Sequence, residues 1–342
     1  MIKKIGIVSL SSGVLGEDFV KHEVDLGVKR INDYGIEVEF LPNAIKGMEF
    51  IKDHPECRAK DLLQAFEDDS IDMILCAIGG VDTYKLLPYL FENDELKNVA
   101  KQKVFLGFSD TTMNHFMLNK VGIKTFYGQA FLPDVCELSK EMLPYTKKYF
   151  EELIKTGRIE EIRPSDLWYK EREDFSKDAL GQSMESFPNS GFELLRGNST
   201  FKGKILGGCI ESIYNIFVND RFGDTVEMCG KYKLFPSLEE WKGKILLLET
   251  SETKSSPELY RKMLRALKNY GIFDVLSGVL IGKPQDEVYY DEYKEILLGE
   301  ITNEELPILY NINVGHATPR CIIPFGVEAE VDAKKQVIRF KY

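Results

Sequence analysis

The feature that most limits this chain is a repeated alternation in its first third: a short apolar run, a break at small or polar residues, then an amphipathic stretch. Residues 4–10 form the first run and end in Ser9-Leu10-Ser11-Ser12-Gly13. Residues 17–34 then place Val20, Val24, Val28 and Ile31 on one helical stripe, and Gly35 stops it. The pattern recurs as a strand over 36–41, a helix over 56–68 and a buried strand over 73–78 that ends at Gly79-Gly80. A helix beginning over 83–90 follows, then a strand over 104–108 that runs directly into Ser109-Asp110 and a helix to Asn119. Strands separated by helical crossovers predict a mostly parallel sheet with helices on both faces.

The alternation lapses over 145–196, which is rich in Lys, Glu, Asp and Ser. This stretch reads as a helix followed by a linker or an excursion over the active site. Strand-like runs return at 203–206, 244–248, 275–281 and 336–340, with one amphipathic helix at 257–270. They suggest a second α/β or barrel-like domain. With 342 residues the chain has room for two domains, and the expected division is 1–162, a linker or active-site loop at 163–200, and 201–342.

The formal charge of −11 argues against binding a nucleic acid polymer, which needs a basic surface. The N-terminal apolar run is too short for a signal peptide, and no segment approaches the ~18 apolar residues of a membrane helix. A cytoplasmic location without membrane contact is the expectation. Six scattered cysteines without a CxxC read as free thiols, and four histidines without an HExxH argue against a zinc site.

Three segments are suited to chemistry. In Gly107-Phe108-Ser109-Asp110-Thr111 a serine sits where a buried strand turns into a helix. That turn exposes its hydroxyl and puts the Asp110 amide at a helix N-terminus, where it can donate to an oxyanion. The same residues also suit a plain helix cap. In Ala77-Ile78-Gly79-Gly80-Val81-Asp82, paired glycines let backbone N–H groups approach a ligand. This is half of an oxyanion hole, a phosphate cradle of a kinase-like protein in which Asp82 takes part, or simply a strand-to-helix turn. In Asn313-Val314-Gly315-His316-Ala317-Thr318-Pro319 a histidine on a tight loop after an apolar strand is a candidate general base, or a structural residue. Its orienting acid would be Glu249, at the end of Ile245-Leu246-Leu247-Leu248, with Glu252 three residues on; either acid suits a helix cap equally. His115, in the helix after Ser109, is expected to pack.

The order Ser109, Glu249, His316 supplies nucleophile, acid and base. The segments around them, IGGVDTYKLLPYL, VFLGFSDTTMNHFMLNKVGIKTFYGQAF, KILLLETSETKSSPELYRKMLRAL, GVLIGKP and NVGHATPR, resemble the serine peptidase family of LD-carboxypeptidases and microcin C self-immunity proteins, and are closer to the immunity branch. The resemblance implies a flavodoxin-like N-terminal domain, a smaller β-rich C-terminal domain, a homodimer, and no metal or cofactor. It implies Ser109 as nucleophile, His316 as base, Glu249 as its orienter, and backbone donors from Asp110 and Gly80, with Gly79 beside them. The implied substrate is an amide near a free carboxylate: a peptidyl or aminoacyl nucleotide in the immunity branch, a murein tetrapeptide in the other. Two positions are individual to this chain. Cys209 stands where the family usually has an asparagine, and Trp168 is the candidate loop aromatic for stacking on a nucleobase.

Overall fold

The computed structural model describes residues 1–342. The chain divides into two compact units, one made of 1–158 and 172–184, the other of 159–171 and 185–342. They are equal in length, so the second is not the smaller one that the resemblance implied. The stretch 163–200 is shared between them: 163–171 and 185–200 carry strands of the second unit, and only 172–184 belongs to the first.

In the first unit, β1 (Lys4–Val8) pairs in parallel with β2 (Glu37–Phe40) and β3 (Met73–Cys76). β3 pairs in parallel with β4 (Val104–Gly107), and β4 with β5 (Thr125–Tyr127). The order is β5-β4-β3-β1-β2, a parallel sheet as the alternation predicts. All four residues of β3 are buried, the signature of a parallel strand covered on both faces. β5 was not expected; three residues are too few to show a period. The helix read over 17–34 begins later, at Lys21–Asp33, because two 3₁₀ turns, Val14–Gly16 and Asp18–Val20, precede it. The excursion 172–184 is tied down by Arg172, whose guanidinium lies 2.6 Å from Glu137, and by the Gly181 N–H, which donates to Leu138 O at 2.7 Å.

In the second unit, strands β6 (Glu161–Ile162), β7 (Leu167–Tyr169), β8 (Ser186–Pro188) and β9 (Glu193–Arg196) precede the long β10 (Thr200–Cys209). They are followed by β11 (Ile245–Glu249), β12 (Gly278–Gly282), β13 (Ile308–Ile312), β14 (Ile323–Phe325), β15 (Glu328–Asp332) and β16 (Val337–Lys341). The main sheet runs β6-β16-β15-β10-β11-β12-β13-β9, with β6 and β9 as its edges, and β7 pairs with β8 apart from it. β10 belongs to two regimes. Residues 200–204 pair antiparallel with β15, whereas 205–209 pair in parallel with β11. From β10 to β13 the strands are parallel, and β11, β12 and β13 are buried at every residue. The helix Pro257–Tyr270 has the limits read from the sequence. The Ser256 side chain accepts from the Leu259 N–H, Pro257 is the first helical residue, and Gly271 ends the helix at φ +87°. Its buried residues Tyr260, Met263, Leu264 and Leu267 keep the i, i+3, i+4, i+7 spacing.

Candidate active site

The first unit presents the serine. β4 ends at Gly107, the 3₁₀ turn Ser109–Thr111 follows, and the helix Thr112–Lys120 continues it. Ser109 has φ +65°, in the left-handed region that a non-glycine residue adopts only under constraint. It lies inside the first turn rather than before it. The N-cap residues of the two helical pieces are Phe108 and Thr111, neither with a side-chain cap, so Ser109 is not the N-cap of either. The Ser109 N–H donates to Tyr127 Oη at 3.1 Å, and Thr112 Oγ1 donates to Ser109 O at 2.6 Å. Gly79 has to be a glycine, because a Cβ there would come within 2.6 Å of Ser109 Cβ and 2.7 Å of its Oγ. A Cβ on Gly80 would meet Ser11 Oγ at 2.3 Å.

The Asp110 carboxylate knits these loops together. It accepts from Ser11 Oγ at 2.7 Å, from the Thr83 N–H at 2.9 Å and from Thr83 Oγ1 at 2.7 Å. Asp82, which the phosphate-binding reading requires as an available acid, is taken up by the fully buried Arg58 at 2.7 Å and by Lys85 at 3.1 Å. His115 packs, as expected. Its Nε2–H donates to the Gly107 carbonyl, which can only accept, so Nδ1 accepts from Thr125 Oγ1. Burial pushes its pKa down to about 3 and keeps it neutral.

The second unit presents Glu249 and His316 beyond the C-terminal ends of β11 and β13, the parallel strands on either side of β12, where α/β sheets build sites. Glu249 ends β11, and Cys209, its registered neighbour, ends β10. His316 lies four residues past β13. The Glu249 carboxylate is buried and accepts from His316 Nδ1 at 2.7 Å and from the His316 backbone N–H at 3.1 Å. Two glycines make room for it. A Cβ on Gly315, at φ +82°, would lie 2.2 Å from Glu249 Oε2, and one on Gly282 would lie 2.6 Å from Glu249 Cβ. Arg320 donates to the carbonyls of Gly315 and His316 and holds the loop.

Glu252, the second candidate acid, and Glu211, which the sequence did not single out, complete this half. Glu252 Oε2 lies 3.0 Å from His316 Nε2, so the ring has a carboxylate on each nitrogen. Burial of the imidazole works against its charge but is outweighed by Glu249 and Glu252, and the pKa rises to about 10. The Glu252 carboxyl is pushed down to about 2, chiefly by its bond to His316. Glu211, on the short helix after β10, accepts from the Ser251 N–H at 3.1 Å and from Ser255 Oγ at 2.8 Å, stapling the loop that carries Glu252. The S-E-T-K-S run, with polar hydrogen-bonding side chains on both sides of the acid, was the available signal.

Cys209 donates to Glu211 Oε2 at 3.3 Å, and burial raises its thiol pKa well above the usual value. Donor atoms of Cys209, Glu249 and His316 lie within 4.8 Å of one another, a grouping that sequence spacing did not reveal. The Glu249 oxygen is nevertheless committed to the two His316 nitrogens, and the flanking glycines leave it no slack. Trp168 is buried, stacks on Phe187 at 4.5 Å between centroids, and has the Lys283 ammonium 5.2 Å from its ring centroid. These are the contacts of a packed residue. Its neighbour Tyr169 donates its N–H to Thr318 O at 2.8 Å, so this strand borders the histidine loop.

Comparison with known proteins agrees with these two halves. Residues 5–128 match the LD-carboxypeptidase N-terminal domain and residues 202–331 the LD-carboxypeptidase C-terminal domain. A MccF-like protein from Streptococcus pneumoniae, solved in complex with AMP, is 66% identical, with 100% of this chain and 99% of that one covered and a TM-score of 0.99. A protein of Treponema pallidum (strain Nichols) that carries the name carboxypeptidase is 29% identical over 290 residues, 81% of this chain and 75% of its own length. The microcin C7 self immunity protein MccF, solved with aspartyl sulfamoyl adenosine, shares the fold at 20% identity and a TM-score of 0.78, with 100% and 97% covered.

Proposed function

Because the chain belongs to the LD-carboxypeptidase family of hydrolases, we propose that it is an amidase of the microcin-immunity type, cleaving an amide bond in a peptidyl or aminoacyl nucleotide through Ser109, His316 and Glu249. The observation that carries this reading is the buried carboxylate–imidazole pair. Glu249 takes the Nδ1–H of His316 and so leaves Nε2 as the proton-transferring atom. Ser109, on its strained turn, is the nucleophile that such a pair serves. Its Oγ attacks the carbonyl carbon as its proton passes to Nε2. The N–H groups of Asp110 and Gly80 receive the developing oxyanion, each worth roughly 3–4 kcal/mol of transition-state stabilisation. The C–N bond then breaks, the imidazolium protonates the leaving nitrogen, and water resolves the acyl-serine by the reverse route. The nucleotide part of the substrate is argued from the AMP held by the pneumococcal relative. The same reading carries a homodimer in the cytoplasm, as the resemblance implies.

Mass spectrometry of the purified protein with aspartyl sulfamoyl adenosine and with a murein tetrapeptide tests the proposal. Release of aspartate from the first, absent in Ser109→Ala, is expected. Cleavage of the tetrapeptide alone assigns the protein to the murein branch, and undiminished turnover by Ser109→Ala overturns the serine mechanism.

A further inference from the structure

In the proposed reaction His316 Nε2 has to accept the serine proton, yet in this structure Nε2 faces the Glu252 carboxylate at 3.0 Å. A ring nitrogen that donates to a carboxylate has no lone pair to offer. An imidazole hydrogen-bonded to a carboxylate at each nitrogen is an imidazolium, the state of the base after proton transfer and not before it.

The two carboxylates are held very differently. The Glu249 side chain is fully buried, fixed at the end of β11 and wedged against Gly282 and Gly315. The Glu252 side chain is 65% exposed and reaches back from a turn. The backbone of that turn is secured on both shoulders. Glu211 holds Ser251 and Ser255, Ser251 Oγ meets Thr253 Oγ1 at 2.7 Å, and Lys254 Nζ meets Asp286 at 2.7 Å. Releasing Nε2 therefore needs only rotation of the Glu252 side chain into solvent, with no refolding of the loop.

We infer that Glu252 is a positioning residue that masks the base: it holds His316 doubly hydrogen-bonded in the ligand-free chain and swings away when substrate binds. This rests on His316 acting as the base. The charged and titratable groups around the imidazole within this unit are Glu249 and Glu252 from the β11 end and its loop, Cys209 from β10, Glu211 from the following helix, and Arg320, which binds the loop carbonyls; Arg221 adds a positive charge near Glu252. Of these, Glu249 bonds to Nδ1 of the ring and Glu252 to Nε2.

The mask has a kinetic signature. In the free enzyme the base carries its proton far above neutral pH, so the acid limb of kcat/KM lies high. In the substrate complex Glu252 has already left, so the limb of kcat lies lower. Glu252→Gln keeps the size and an acceptor oxygen but removes the charge.

The test combines two measurements on the full-length protein. The first is a ¹⁵N NMR titration of the histidine rings, with His316 assigned by its loss in His316→Asn. The second is the pH profile of kcat and of kcat/KM on aspartyl sulfamoyl adenosine. Glu252→Gln is expected to lower the His316 midpoint by about one pH unit or more. It should move the kcat/KM limb by the same amount, about tenfold in rate at pH 7 for each unit, and leave the kcat limb in place. Glu252→Ala should shift both in the same direction. A folded Glu252→Gln whose His316 midpoint equals that of the wild type overturns the mask. A lowered midpoint in a protein that cleaves no substrate keeps the contact and discards the amidase reading, because the titration does not depend on turnover.

Discussion

The hydrogen bond from His316 Nδ1 to Glu249 gives the sharpest single-residue prediction. Glu249→Gln still offers an oxygen to Nδ1–H but cannot stabilise the imidazolium. Turnover is expected to fall on the order of 10²–10⁴-fold with far-ultraviolet circular dichroism unchanged. Gly315→Ala acts on the same bond from the other side. Its Cβ would lie 2.2 Å from the Glu249 carboxylate, on a backbone at φ +82°. Stability in urea is expected to drop by roughly 1–3 kcal/mol, together with activity. Thiol chemistry checks the burial of Cys209. Of the six cysteines only Cys57 is partly exposed, so brief alkylation of the native protein followed by peptide mass mapping should find Cys57 labelled and Cys209 untouched. A modified Cys209 would show that the β10 end is open to solvent.

At the scale of elements, the β4-to-helix junction holds Ser109 where a side chain is strained, and Gly79 gives it room. Function and stability therefore pull in opposite directions at this turn. Ser109→Gly removes the hydroxyl and also relieves the left-handed backbone, whereas Ser109→Ala removes the hydroxyl and keeps the strain. Both should be inactive. The glycine variant should be the more stable of the two by about 1 kcal/mol in denaturant titration. Equal stability would mean that the turn costs nothing. Asp110 has a different task in the same element: its side chain ties Ser11 and Thr83, on the loops that flank the two glycines, to the junction.

At the scale of the whole molecule, several buried groups make stability depend on pH. The His316 pKa rises from 6.5 to about 10 on folding. Its contribution is complete below pH 6.5 and is lost as pH climbs towards 10. The depressed Glu252 carboxyl is the same ion pair seen from the other partner, not a second contribution. His115 falls from 6.5 to about 3 through burial, so its contribution is present above 6.5 and lost as pH drops towards 3. Burial, and then the nearby charge of Glu137, raise Glu23 from 4.5 to about 7, which removes stability between those values as pH rises. Thermal unfolding followed from pH 4 to 10 should show an alkaline decline above about pH 6.5. His316→Asn should flatten that decline; an unchanged slope would assign it to other groups.

Much of this protein is written locally and is legible along the chain. The alternation over the first 120 residues encodes β1 to β4. The run Ile245-Leu246-Leu247-Leu248 reads as a buried strand and is one, and Ser256, Pro257 and Gly271 mark the limits of a helix. The three candidate catalytic residues stand at strand ends, where short apolar runs meet small or polar residues, and that contrast is visible without a fold. Spacing could not disclose which strand ends are neighbours. Sheet order is decided by long-range pairing, and it is the β10–β11 register that sets Cys209 opposite Glu249. The Glu252 contact with Nε2, the Glu211 staple and the demand for glycine at 282 and 315 exist only once β11, β12 and β13 lie side by side. The division of 163–200 between the units was hidden for the same reason. Strands of two to four residues carry too little period to be read, and only their partners in the sheet make them strands.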